Sequence, residues 1–223
     1  MIFKESVIGK ILESKSRQDI IVVSKAGYLP KDKFKSIPME WNVADLSPTF
    51  AHSIEPSYLD YQISNSLEAL QTNYIDIYML NNPERMVHAN NMHVPMTRLY
   101  DMIGNALLHL EKERQRGRIL GFGITSSSMH TPNAVDHLDL QKVVEIAGQL
   151  GVLDGLVAVE YPLNLFERDA FISESKEFEP LGKTASRNNL YSLTQRPLNA
   201  IARGRIRKLA VCIGSLFGYR LRS

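Results

Sequence analysis

The chain has 223 residues, a formal net charge of +2, 44% hydrophobic and 22% charged residues. That is a globular composition, outside the ranges of disordered and collagen-like chains, and the length allows one domain or a small pair. No apolar run reaches the roughly 18 residues of a membrane span, and Met1–Glu5 lacks the basic-then-apolar layout of a secretory signal. The lone Cys212 excludes an internal disulfide and a cysteine zinc knot, and with the missing signal points to the cytoplasm. Charge is unevenly spread: after Glu179 come Lys183, Arg187, Arg196, Arg203, Arg205, Arg207, Lys208, Arg220 and Arg222 with no acid among them. Such an end could meet phosphate, RNA or an anionic surface, but a solvated face accounts for it more simply, and no nucleic-acid or membrane partner is expected.

In chain order, residues 3–14 read as a helix with Phe3, Val7, Ile8, Ile11 and Leu12 on its buried face. Asp19–Ser24 reads as a strand buried on both faces, because β-branched residues follow one another without polar alternation. A long connection to about Ser53 carries three prolines, and loops of that length are commonly functional or disordered. Glu55-Pro56 opens a helix buried through Leu59, Ile63, Leu67 and Leu70, and Ile75–Leu80 is the second strand. A loop from Asn81 to about Met96 leads to a helix over Thr97–Arg116 and then to a third strand over Arg118–Ile124. A helix over Leu138–Gly148, a strand over Leu153–Tyr161, a charged helix over Arg168–Glu177 and a fifth strand over Leu190–Thr194 complete the series.

Five strands alternating with helices imply parallel strands and right-handed crossovers, hence an α/β fold, either barrel or open sheet. No glycine-rich phosphate loop follows any strand, since Gly121-Phe122-Gly123 lacks a third glycine. This lowers the standing of a doubly wound nucleotide fold. The six histidines are too scattered for a local metal motif, and no metal site is expected. His52, in the long loop, carries the most functional weight among them.

Several segments then fall in a telling order: Ser24-Lys25-Ala26-Gly27-Tyr28, Ile54-Glu55-Pro56, Tyr74–Glu84 with its Asn81-Asn82-Pro83-Glu84 turn, Gly117–Ser126, Glu160-Tyr161-Pro162-Leu163-Asn164, and Gln195-Arg196-Pro197-Leu198-Asn199-Ala200. Together they resemble the aldo-keto reductase superfamily, over about residues 5–209. The likeness is to a branch with His-Asn-Pro-Glu after the fourth barrel strand and Asn-Arg-Pro-Leu-Asn-Ala after the seventh. The resemblance implies a partial (β/α)8 TIM barrel over 1–209 that lacks the first two strands and the last. An unmatched tail covers 210–223. It also implies an extended NADP(H) cofactor and small carbonyl or alcohol substrates, with the site at the C-terminal strand ends.

Family chemistry uses a tyrosine, a lysine, an aspartate and a histidine. By resemblance Lys25 is the lysine, whose charge lowers the phenol's pKa. Asn81 stands at the histidine position, where an amide can donate a hydrogen bond but cannot be protonated. Lys4–Gly9 resembles the helix start that follows the family's tyrosine, so the tyrosine and aspartate are expected to be missing; Tyr28 and Tyr78 do not match their motif. Thr125 and Ser126 take the place of a Ser-Asn pair that holds the nicotinamide carboxamide. Glu160 replaces a glutamine, and Gln195 stands where relatives stack an aromatic ring. Arg196 and Asn164 are weaker cofactor candidates. The bases of Arg203–Lys208 are expected on a surface helix. Five strands leave two open edges, which invites a partner protein. Three readings follow: a carbonyl oxidoreductase, an interaction protein built on a barrel remnant, and a truncated product.

Overall fold

The computed structural model describes residues 2–172, 179–202 and 205–209, with the side chains of 2–4 and 202 set aside. The expected segment 210–223 lies outside the described residues, as does most of the second half of the helix expected over 168–177. Residues 168–172 are turn and coil.

Five parallel strands form the main sheet: β1 (Val23–Ala26), β5 (Ile75–Asn81), β6 (Ile119–Thr125), β7 (Leu156–Pro162) and β8 (Tyr191–Gln195). They lie side by side in chain order. The crossovers are carried by α2 (Pro56–Leu70), α3 (Met96–Gln115), α4 (Leu140–Gln149) and α5 (Leu181–Arg187), preceded by α1 (Ile2–Leu12). With right-handed crossovers and no reversal of strand order, every helix falls on one side of the sheet. A doubly wound sheet would reverse its order partway, so the strand order selects the barrel type.

The side chains follow. Tyr78, Leu80, Phe122, Ile124, Val159 and Tyr161 point to the helices and pack with Leu59, Ile63, Ile103, Leu107 and Val143. The alternate residues of each strand point to the helix-free side. Proline at the first turn of α2 and Asp139, whose side chain accepts from the Gln141 N–H ahead of α4, fix where those helices begin.

Four of the five expected strands and four of the five expected helices fall within a few residues of their expected places. The first strand does not. It starts at Val23, because the Val22 N–H is bonded to the Asp76 carboxylate (2.8 Å) and Arg17 braces Asp76, the Ile20 carbonyl and the Tyr74 carbonyl. It is also buried on one face only: among the described residues Ile21 is 75% and Val23 39% exposed on the helix-free side. The expected buried face of α1 is likewise corrected. Leu12 is buried as expected, but Val7, Ile8 and Ile11 are exposed and Glu5 and Gly9 take their place, while the Phe3 side chain lies outside the described residues. Gly9 sets this choice, as a Cβ there would strike the Ala69 carbonyl and the Leu70 backbone.

Two features were not expected. The connection 27–54 holds a three-stranded antiparallel sheet, β2 (Tyr28–Pro30), β3 (Ala44–Asp45) and β4 (Phe50–His52), in the order β2-β4-β3. It packs on α2 through Leu29, Trp41, Ala51 and Tyr58. Of the bases expected on a helix, Arg203 lies outside the described residues, while Arg205, Arg207 and Lys208 are exposed on β10 (Arg205–Lys208), which pairs antiparallel with β9 (Asn199–Ala202).

Candidate functional site

Register alone places five of the sequence-derived candidates on one surface. Lys25 is beside Met79, Met79 beside Gly123, and Gly123 beside Ala158. One row nearer the C-terminal ends, Asn81 is beside Thr125 and Thr125 beside Glu160. Gln195 pairs with Pro162, two residues beyond Glu160. Partners across parallel strands share a face, and residues two apart along a strand share it too. Lys25, Asn81, Thr125, Glu160 and Gln195 therefore all belong to the helix-free face, at or near the strand ends.

Lys25 closes this surface. Its Nζ lies 2.7 Å and 2.8 Å from the two carboxylate oxygens of Glu160. Two strands stand between β1 and β7, so a flat sheet would hold their backbones about 14 Å apart. The direct bond marks a sheet that curls toward its helix-free side. In the row beneath the lysine, Gly123 leaves room for the Met79 side chain, since a Cβ there would strike its sulfur, and Ala158 adds only a methyl. The pair is partly shielded, with 31% of the Lys25 side chain and 11% of the Glu160 side chain exposed.

Thr125 is buried and its Oγ1 has no hydrogen-bond partner among the described residues, nor has the buried Nε2 of half-buried Gln195. Buried polar atoms are ordinarily satisfied, so both stand out from the rest of the face. Ser126 differs. Its Oγ accepts from the Ser128 and Met129 N–H groups (both 3.1 Å), which folds the loop after β6. Arg196, in the left-handed region at φ 63°, gives its guanidinium to Glu167 at 2.5 Å. Asn164 donates to the same carboxylate at 2.6 Å, so these two weaker candidates form a separate knot around Glu167.

Behind the surface, the Asn81–Glu84 turn is anchored on both sides. Asn82 takes φ 51°, its N–H donates to the Thr125 carbonyl (2.8 Å) and its Nδ2 to Ser127 Oγ (2.7 Å). Glu84 is fully buried and its Oε1 accepts from the Ser127 N–H at 2.9 Å. Burial pushes its carboxyl pKa up. His52 Nε2 lies 2.7 Å from the Asn81 carbonyl. Burial lowers the His52 pKa to about 4, so the imidazole is neutral at pH 7. Sequence reasoning gave His52 weight as a loop residue but not this partner.

Neither tyrosine near the site approaches Lys25. The Tyr28 hydroxyl accepts from Arg85 Nε at 3.1 Å, and Tyr78 lies on the helix side of the sheet. A cavity of about 950 Å³ lies elsewhere, between the loop after β6 and α5, lined by His130, Asp139, Arg168, Asp169, Leu181 and Arg187 among others. It does not include the strand-end residues, and it holds none of the convergent polar groups described above. The one grouping of possible metal donors among the described residues, Asp60, His109 and Glu113, already receives the Arg118 guanidinium between its two carboxylates (2.7 Å to each).

A singly wound parallel sheet with a lysine and polar side chains gathered at its C-terminal strand ends defines a barrel-type α/β protein. The chain belongs to the aldo/keto reductase family, whose model matches residues 3–188. Among solved structures it is similar to the glycerol dehydrogenase of Gluconobacter oxydans, at 20% identity and a TM-score of 0.53, covering 85% of this chain and 44% of that one. It is similar as well to an aldo-keto reductase of Bacillus halodurans in its holo form, at 19% identity and a TM-score of 0.50, covering 89% and 53%. A third, an aldo/keto reductase of Klebsiella pneumoniae solved with NADP and acetate, matches at 16% identity and a TM-score of 0.48, covering 86% and 47%. At these identities the likeness to the first two establishes the fold alone. The chain spans about half the length of these structures. No curated protein matches it significantly. Among the described residues no helix is long and apolar enough to cross a membrane.

Proposed function

We propose that the helix-free face binds a nicotinamide dinucleotide, NADP(H) by family resemblance, and serves interconversion of a small carbonyl and its alcohol. The carrying observation is the convergence of Lys25, Asn81, Thr125 and Glu160 on one face at the strand ends. Thr125 Oγ1, buried and unpartnered among the described residues, can both donate and accept, which suits a carboxamide's two groups. When bound, the nicotinamide supplies or accepts the hydride. Asn81 is assigned to hold a carbonyl oxygen with its amide N–H. Lys25 places positive charge beside that oxygen, and Glu160 fixes the position of the ammonium. Ser126 contributes through the loop that it folds, and Arg196 and Asn164 through the Glu167 knot at the end of β8.

Proton transfer to the carbonyl oxygen needs an acid, and here the reading narrows. Among the described residues Lys25 bonds to Glu160 and to no tyrosine. The five strands are read as the third to seventh of an eight-stranded barrel, a correspondence supported by their unbroken order. The chain on its own is therefore proposed to bind the dinucleotide without turning over a carbonyl. The test is to mix it with NADPH and a panel of aldehydes, following cofactor fluorescence and absorbance together. A saturable fluorescence change without aldehyde-dependent NADPH loss is expected. Aldehyde-dependent loss would overturn the narrower reading, and absence of binding would overturn both.

A second reading, a barrel remnant that takes a partner protein, is favoured by a separate observation. Val7, Ile8 and Ile11 on α1 and Ile21 and Val23 at the free edge of the sheet are all exposed apolar side chains. Native mass spectrometry separates the two: a partner-free monomer speaks for the first reading.

A further inference from the structure

We propose that His52 is a positioning residue, a neutral hydrogen-bond donor that sets the end of β5 so that the Asn81 amide stands on the helix-free face. Its importance for ligand binding rests on the site reading above; the positioning itself does not.

The geometry permits one hydrogen-bond assignment. His52 ends β4 and is fully buried. Its Nε2 lies 2.7 Å from the Asn81 carbonyl oxygen, which can only accept, so Nε2 carries the proton. Nδ1 is buried and has no partner among the described residues, which suits an unprotonated nitrogen and disfavours imidazolium. The ring is held in place. Its centroid is 5.1 Å from that of Tyr28 in an edge-to-face arrangement, and the strand pairs His52 with both Tyr28 and Ala44. Tyr28 is itself fixed, its carbonyl accepting from Tyr58 Oη (2.9 Å) and its hydroxyl from Arg85 Nε.

The approach is built into the chain. A Cβ at Gly27 would collide with the Asn81 carbonyl and with His52 Nε2, so glycine is required two residues after Lys25. The Ser53 N–H then donates to the Gly27 carbonyl at 2.9 Å, tying the ends of β1 and β4 together. The accepting carbonyl belongs to the peptide that joins Asn81 to Asn82, the residue at φ 51°. Holding that peptide plane fixes both the turn and the direction in which the Asn81 side chain leaves the strand. The small sheet β2-β4-β3 thus serves to deliver one N–H to the strand end.

Long-range nitrogen–proton NMR of the intact chain reads the tautomer directly. The result expected is the neutral Nε2–H form at pH 7; an Nδ1–H form or imidazolium would overturn the proposal. Two variants then test positioning. In His52→Gln the amide nitrogen reaches about where Nε2 stood and can still donate, whereas His52→Phe keeps the ring and loses the donor. Exchange of the Asn82 amide should quicken about tenfold in His52→Phe and stay within about threefold of wild type in His52→Gln. The Asn81 side-chain amide resonances should shift only in the former. Unchanged exchange in His52→Phe, or His52→Gln behaving like it, would overturn the proposal. Should His52→Phe fail to fold, the wild-type tautomer and the rescue by His52→Gln still decide. NADPH titration of the same proteins separates the two ideas: a wild type that does not bind sinks the site reading and leaves the NMR result standing.

Discussion

Replacing Lys25 by Met removes the cation from Glu160 while keeping most of the aliphatic stem. The carboxylate then remains on a surface that exposes only 11% of its side chain. Breaking a fully buried ion pair costs about 3–5 kcal/mol, and an exposed pair contributes about 0–1 kcal/mol. Lys25, with 31% of its side chain exposed, lies between these cases, so about 2 kcal/mol is expected for Lys25→Met. Glu160→Gln should cost less, because the amide oxygen still accepts from the ammonium. The double variant should recover part of the sum, leaving a coupling of about 1 kcal/mol in a double-mutant cycle. Urea denaturation measures all four proteins, with a constant denaturant slope confirming that only stability has changed. A coupling below about 0.3 kcal/mol, the scatter of independent sites, would mean that the two side chains do not meet and that the sheet does not curl as described.

Other outcomes are expected on the same footing. Because His52 is neutral in the fold, with a pKa lowered from 6.5 to about 4, the unfolded chain takes up a proton in that range that the folded chain refuses. Arg85 and Tyr28 face the ring and offer it no compensating negative charge. Stability should be fully present above about pH 6.5 and fall by about 3 kcal/mol as the pH drops to about 4, a decline that denaturation at a series of pH values should find flattened in His52→Gln. Glu84→Ala leaves the Ser127 N–H without its acceptor and should cost about 1–3 kcal/mol, with hydrogen exchange at Ser127 rising in parallel. On α1, Ile11→Lys should change stability by no more than about 0.5 kcal/mol, whereas Leu12→Ala should cost about 2–5 kcal/mol, a contrast in thermal melts that checks which face of the helix is buried.

The order of helices and strands was legible in the sequence because runs such as Ile75–Leu80 and Arg118–Ile124 are long, apolar and bounded by turn residues. The first strand was misplaced because the captor of Val22 is a side chain at Asp76, far along the chain. The strands of the small sheet have two or three residues each, too short to show any periodicity. On α1, apolar residues occupy both candidate faces, and the choice was made by a backbone approach at Gly9 that no helical pattern encodes. The site divides in the same way. Lys25, Asn81 and Glu160 were singled out by resemblance to family segments in a recognisable order, and the strand register puts them on one face at or near strand ends. The Lys25–Glu160 bond spans 135 residues, and the partner of His52 is a backbone carbonyl. Neither leaves a mark on spacing or composition.

Crystals of the chain grown with NADP+ would test the central claim most directly. The nicotinamide carboxamide is expected within hydrogen-bond distance of Thr125 Oγ1, above the Lys25–Glu160 pair. A dinucleotide seated instead in the outer cavity beside α5, with the strand ends bare, would contradict it.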